Sequence, residues 1–174
     1  MLPWFEPEIT PQVATPGVHR YALSADDPAT DIRAIVEGQL MAMALHSRWM
    51  GVTVDTIHAT GGASANRAIL QVMADVFGTD VYQFEVANSA ALGAALRAAH
   101  ADLNADGRTM NWEEVISGLA EPVAASRLIP DADHHGIYRD LIPVYAACEA
   151  HALGQGPEPS ALIDYFRSRR GGSN

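Results

Sequence analysis

Apolar side chains recur along this chain with two different periods, and the switches between them mark out its elements. Ile32, Ile35, Val36, Leu40, Met43 and Ala44 return at helical spacing and predict a long helix from about Pro28 to Met50, opened by Asp27-Pro28 and closed by Gly51. The short run from Val54 to Ala59 reads as a strand. Ile69, Val72, Met73 and Val76 then fall at i, i+3, i+4 and i+7, the stripe of an amphipathic helix that Gly78 ends. Val81-Tyr82-Gln83-Phe84 is a second short strand, and from Ser89 to about His100 runs a helix of Ala, Gly and Leu. Side chains so small allow close helix packing, against the sheet or the first long helix. Strand, helix, strand, helix is a βαβα unit, which implies parallel strands joined by a right-handed crossover.

The flanks are less regular. Residues 1–30 are rich in proline and turn formers, with Tyr21-Ala22-Leu23 as the only strand-like piece, so they read as an extended or irregular arm lying across a partner surface. After the βαβα unit, Asn104-Ala105-Asp106-Gly107 marks a turn and Asn111 to Ile116 opens a short helix. The stretch from Glu121 to Pro130 reads as irregular. A last long helix is expected from Ala132 to His151, with Ile137, Leu141, Tyr145 and Cys148 on one stripe and Pro143 predicting a kink or break. Gly154 to Pro159 is a linker, Ala161 to Arg167 one or two frayed turns, and the final Gly-Gly-Ser-Asn a disordered end. Residues 1–153 are thus expected to form one domain and 154–174 a linker and tail.

Composition narrows the function classes. A chain of 174 residues, 48% of them apolar, buries one core. Its 11 basic against 21 acidic residues are the reverse of what a binder of nucleic acid or anionic membrane needs. The one basic cluster, Arg167-Ser168-Arg169-Arg170, reads as a solvated end. Cys148 is the only cysteine, which leaves no disulfide framework and no cysteine-based metal cluster. With no signal-like start and no apolar run of membrane-spanning length, the expected location is the cytoplasm.

Candidate chemistry centres on Thr60-Gly61-Gly62-Ala63-Ser64-Ala65-Asn66, which joins the first strand of the unit directly to its amphipathic helix. Glycines let backbone approach a ligand without an intervening Cβ, and the following helix offers unpaired N–H groups and a positive dipole end. Taken alone, such a turn is more often plain punctuation between strand and helix. Its neighbours carry more. Gly61 to Gly78, then Thr79-Asp80-Val81-Tyr82, then Ala87-Asn88-Ser89-Ala90-Ala91-Leu92-Gly93-Ala94-Ala95 form one block; Asp31 to Ala42, with an Arg-Ala-x-x-Glu-Gly core, forms a second. Pro7-Glu8-Ile9-Thr10-Pro11 and Ile137-Tyr138-x-x-Leu141-x-Pro143-x-Tyr145 complete the set. In this order, up to about Ala150, the blocks closely resemble the C-terminal domain of the FGGY family of carbohydrate kinases. Gly-Gly-Ala-Ser-x-Asn and Glu-Gly-Gln-x-Met-Ala are most similar to the branch of the family that phosphorylates D-xylulose.

The resemblance implies an α/β fold: the helix-rich latter part of an actin-like (ribonuclease H-like) ATPase domain, with a short parallel sheet that keeps only its final two strands. It implies ATP and Mg²⁺ as cofactors and Gly61, Gly62, Ala63 and Asn66 as the adenosine-binding residues, with Asn66 as a plain helix cap the other reading of that side chain. No catalytic residue is expected in this chain, because the family's base and sugar-binding residues lie in an N-terminal domain and cleft. The phosphate loop precedes the segment at which this chain begins, so the chain by itself is expected to be inactive. A different FGGY sugar or polyol kinase, or a non-catalytic nucleotide-binding or oligomerisation module, is the alternative. An uncovered sheet edge invites a homodimer. Arg33 and Glu37 read as an ion pair, Gly38 as a close-packing position, Asn88 or Ser89 as a cap, and Ser64 as a cap for the helix after the turn. His134-His135, flanked by Asp131 and Asp133, reads as a solvated pair, and no zinc-ligand spacing occurs. His46, His58 and His100 read as partly buried and hydrogen-bonded, and Trp4, Trp49 and Trp112 as packing residues.

Overall fold

A computed structural model describes residues 1–170 apart from positions 25, 85, 87, 106 and 120. Strand β1 (Leu2–Trp4) pairs antiparallel with β2 (Gly17–His19), and helix α1 (Pro28–His46) follows. Asp27 caps α1 by accepting from Ala29 N and Thr30 N, with Pro28 in the first turn, as the Asp-Pro pair predicts. The helix stops four residues earlier than expected, and a 3₁₀ turn at Arg48–Met50 carries the chain to Gly51.

The central unit is β3 (Thr56–Ala59), α2 (Arg67–Phe77) and β4 (Asp80–Gln83), with the two strands parallel and registered from Thr56↔Asp80 to Ala59↔Gln83. The remaining helices are α3 (Ser89–Leu103), α4 (Trp112–Ile116), α5 (Ala132–Ala152) and α6 (Ser160–Arg170). This is the helix-rich α/β arrangement with a short parallel sheet that the sequence predicts.

Two apolar clusters hold the fold, and α2 serves both. Ala59, Leu70, Ala74 and Val81 pack sheet against helix. On the other side, Val72 and Val76 of α2 meet Leu40 and Met41 of α1 and Ile142 and Tyr145 of α5. A helix packed on two sides buries more than one stripe, which is why Leu70 and Ala74 are buried beside the predicted Val72 and Val76.

Several expectations are corrected. The arm does not reach for a partner: Leu2 and Trp4 are 0% and 5% exposed and belong to this chain's own core. Burial of these two alternating side chains and Val13 outweighs the turn-rich composition, and the strands are Leu2–Trp4 and Gly17–His19 rather than Tyr21–Leu23. Gly38 makes that docking possible, since a Cβ there would stand 2.6 Å from the Met1 carbonyl oxygen. The partner admitted is thus the arm. Pro143 does not break α5, which runs through it from Ala132 to Ala152. The stretch read as irregular between α4 and α5 pairs with β4, through Val81 N to Leu128 O at 3.0 Å and Leu128 N to Val81 O at 2.9 Å. The outer edge of β3 has no strand beside it among the described residues.

Helix α3 buries none of its described side chains; it meets α4, where His100 stacks on Trp112 with ring centroids 4.1 Å apart. The segment expected to form a frayed turn or two is the eleven-residue helix α6. Its partners are remote in sequence: Arg170 donates to Asp140 Oδ2 at 2.6 Å and Gly136 O at 2.8 Å, and Arg167 to Ala22 O at 3.3 Å. The final Gly-Gly-Ser-Asn, Ala87 and Asp106 lie outside the described residues. No helix among those described is long and apolar enough to cross a membrane.

Candidate functional site: the glycine turn at the head of α2

At the carboxyl end of β3 the chain turns through Gly61, whose φ of 88° and ψ of −178° belong to a region open essentially to glycine alone. Gly62–Ala65 forms one 3₁₀ turn. Ser64 closes it, its N and Oγ both donating to Gly61 O at 3.1 and 2.7 Å, so this hydroxyl does not cap α2. Asn66 does: its Oδ1 accepts from Ala68 N at 3.0 Å and Ile69 N at 3.4 Å. Gln83 Nε2 donates to Ser64 O at 2.6 Å and ties the turn to the end of β4.

Gly61, Gly62, Ala63 and Asn66 therefore share one turn, and all four are exposed. At Gly61 and Gly62 nothing lies within 4 Å of where a Cβ would stand, which leaves an open shelf of backbone. The Nδ2 of Asn66 has no hydrogen-bond partner among the described residues, so this amide keeps a donor to spare. Beside it, a groove of about 260 Å³ runs between α1 and α2, walled by Ile32, Val36, Ile69 and Val72, with Arg33 and Asn66 as its polar groups.

Arg33 is held from beneath. Its Nε donates to Glu37 Oε1 at 2.5 Å and its Nη2 to Tyr138 Oη at 3.0 Å, while Tyr138 Oη donates to Glu37 Oε1 at 2.8 Å. Acceptance by Tyr138 and Glu37 raises the guanidinium pKa further, and burial above all pushes the Tyr138 phenol up to about 12. The expected Arg33–Glu37 pair is present, and Tyr138 is the member that spacing along one helix does not reveal. Asn88 caps α3 by accepting from Ala91 N at 3.0 Å.

A second polar cluster was not anticipated. Asp75, 2% exposed within α2, accepts from Gln71 Nε2 at 2.8 Å and Asp131 N at 2.9 Å, and lies 3.2 Å from His134 Nδ1. His135 Nδ1 meets the Asp75 carbonyl at 2.9 Å. His134 keeps an exposed ring, as its solvated reading predicts, but both histidines dock α5 on α2. The visible signal was an aspartate inside the apolar run Val72 to Val76. No group of three metal-ligating side chains occurs among the described residues. His46 is hydrogen-bonded to Glu149, whereas His58 is exposed and stacks on Phe84.

Chemically, the turn offers backbone amides, one spare side-chain donor and apolar walls, but among the described residues no side chain placed to move a proton.

The description "FGGY family of carbohydrate kinases, C-terminal domain" matches residues 3–101. Xylulose kinase of Mus musculus is 39% identical over 160 residues, a match that covers 87% of this chain and 28% of that protein. Xylulose kinase 2 of Arabidopsis thaliana is 43% identical over 86 residues, covering 48% of this chain and 15% of that protein. The ligand-bound xylulose kinase structure from Lactobacillus acidophilus superposes with a TM-score of 0.64 at 21% identity, covering 82% of this chain and 28% of the other. For xylulose kinase from Rhodospirillum rubrum the TM-score is 0.59 at 22% identity, with 84% and 28% covered. These two likenesses establish the fold, that of actin-like ATPase sugar kinases. The chain spans 28% of the length of the mouse relative.

Proposed function

Because the chain belongs to the FGGY family of carbohydrate kinases, we propose that it is the adenosine-holding C-terminal part of an ATP-dependent sugar kinase that acts on D-xylulose. The reaction moves the γ-phosphoryl group of ATP to the 5-hydroxyl of the sugar, giving D-xylulose 5-phosphate and ADP. The hydroxyl proton passes to a base supplied outside this chain. The observation that carries the reading is the open shelf at Gly61 and Gly62 beside the spare amide of Asn66. A flat base can lie against backbone there, with Ala63 as a small floor and the Asn66 Nδ2 donating to a ring nitrogen.

Xylulose as the sugar is supported by the named relatives, not by any group at the turn. Mg²⁺ accompanies the phosphates in phosphoryl transfer. Among the described residues no carboxylate stands at the turn, since Asp55 and Asp80 sit at the opposite, amino ends of β3 and β4. The residues described here do not fit a metal site, and the ion belongs with parts of the kinase that this chain does not span. The open outer edge of β3 favours either the remaining strands of the kinase or a second copy of this chain as its cover. A cytoplasmic location accords with a single, buried cysteine.

A calorimetric titration with Mg·ADP tests the assignment on the wild-type chain and on Gly62→Val. A Cβ at this position meets nothing within 4 Å, so the branched side chain projects into open space and fills the shelf, and an unchanged Tm checks that the fold accepts it. Saturable binding that this variant loses is the expected result. Equal binding by both chains, or none by either, would remove the adenosine site from this turn.

A further inference from the structure

A second and larger concavity, of about 510 Å³, opens between the N-terminal arm and the C-terminal half of α1. Trp4 on the arm and Trp49 after α1 both line it, the first 5% exposed and the second 84%. Between them stand Glu8 and Thr10 from the arm, Gln39 from α1 and Tyr145 from α5. None of these four side chains has a hydrogen-bond partner among the described residues.

Tyr145 is 4% exposed as a whole residue, but no buried side-chain oxygen among the described residues lacks a partner, so its unpaired hydroxyl opens onto the groove. It is the deepest of four unpaired polar groups that line one groove with an exposed indole. His46 lines the same groove but is already paired with the buried Glu149, at 2.9 and 3.1 Å from its two oxygens.

The chemistry of the lining restricts the ligand. No Lys or Arg lines the groove, whereas Glu8 does and Glu149 stands behind His46, so a phosphate or carboxylate is disfavoured. The phenol offers a donor, Glu8 an acceptor, and Gln39 and Thr10 both. A hydroxyl group also donates and accepts, and the C–H faces of a polyol or sugar ring pack on an indole.

We propose that this groove is a binding site for a neutral polyol or free sugar, with Trp49 as the stacking platform and Tyr145, Glu8 and Gln39 as the hydroxyl partners. It shares no lining residue with the Gly61 turn and does not depend on the nucleotide reading.

The test is a titration of the full chain with xylitol and with D-xylulose, without nucleotide, followed by tryptophan fluorescence and ligand-observed NMR. Tyr145→Phe removes one oxygen and keeps the ring, and Trp49→Ala removes a side chain that is almost wholly exposed, so both variants should unfold at the wild-type urea midpoint. Saturable binding is expected, weakened roughly tenfold by loss of the hydroxyl contact. Trp49→Ala should also quench most of the fluorescence response. Absence of saturation would overturn the proposal. So would unchanged affinity in both variants, or saturation by tetramethylammonium alone, which would mean that the two carboxylates select a cation.

Discussion

Asn66→Ala and Asn66→Asp separate the two roles of this side chain atom by atom. The cap rests on Oδ1, which accepts from Ala68 N at 3.0 Å and Ile69 N at 3.4 Å. Alanine removes both bonds and is expected to cost about 1 kcal/mol, within the roughly 0.5–2 kcal/mol range of N-cap truncations. In a domain of this size that lowers Tm by about 2–4 °C. Aspartate keeps an acceptor and adds negative charge at the positive end of α2, worth about 0.3–1 kcal/mol, so its Tm should equal or exceed that of wild type. The proposed ligand contact rests instead on Nδ2, which both variants lack. Losing one hydrogen bond worth about 0.5–1.5 kcal/mol weakens Mg·ADP roughly 2- to 12-fold in either case. Thermal melts and calorimetric titrations on the three proteins read the two effects independently. Wild-type ADP affinity in Asn66→Asp would refute the ligand contact, and a wild-type Tm in Asn66→Ala would refute the cap.

Two further outcomes follow from the packing of α5. Asp75→Ala leaves the Asp131 N–H without its buried acceptor and removes the contacts of Gln71 and His134, and should cost about 1–3 kcal/mol in urea denaturation; a loss below about 0.5 kcal/mol would show that the carboxylate does not anchor α5. The Tyr138 phenol, raised by burial from 10.0 to about 12, ionises first in the unfolded chain. Its contribution is therefore complete below about pH 10 and is lost as pH rises through about 12, so urea midpoints should fall across that window and fall less steeply in Tyr138→Phe. Tyr145, also raised by burial, adds to the same slope, which is why the variant should flatten it only in part.

Elements whose stabilising contacts are local were legible in the sequence. The Asp27-Pro28 start of α1, the stop of α2 at Gly78 and the strand–turn–helix around Gly61 each depend on a few adjacent residues, and each lies where the periodicity places it. Features decided by remote partners were not. Leu2 and Trp4 form a strand because His19 and Gly17 pair with them and α1 offers Gly38 as a bed, and none of these neighbours is within ten residues. Helix α6 is similar, since the acceptors of Arg167 and Arg170 lie more than twenty residues away. Within the candidate site, the four residues were identified by resemblance and fall on one turn. The assignment of the cap to Asn66 rather than Ser64 needed geometry, because the Ser64 hydroxyl is spent on the Gly61 carbonyl.

The chemistry absent from the turn bears on how defects there should register in a whole kinase. Backbone of Gly61 and Gly62 and the Asn66 amide carry no charge that changes when phosphorus–oxygen bonds are made or broken. They would meet a base that is the same in ground state and transition state, which is uniform binding. Damage confined to these contacts should then raise KM for ATP and leave kcat nearly unchanged. The exception is damage that displaces α2. This helix packs against β3 and β4 on one side and against α1 and α5 on the other, so a change large enough to tilt it moves the turn and both clusters together. A variant at the turn that lowers kcat should therefore also lower stability, and one that alters KM alone should not.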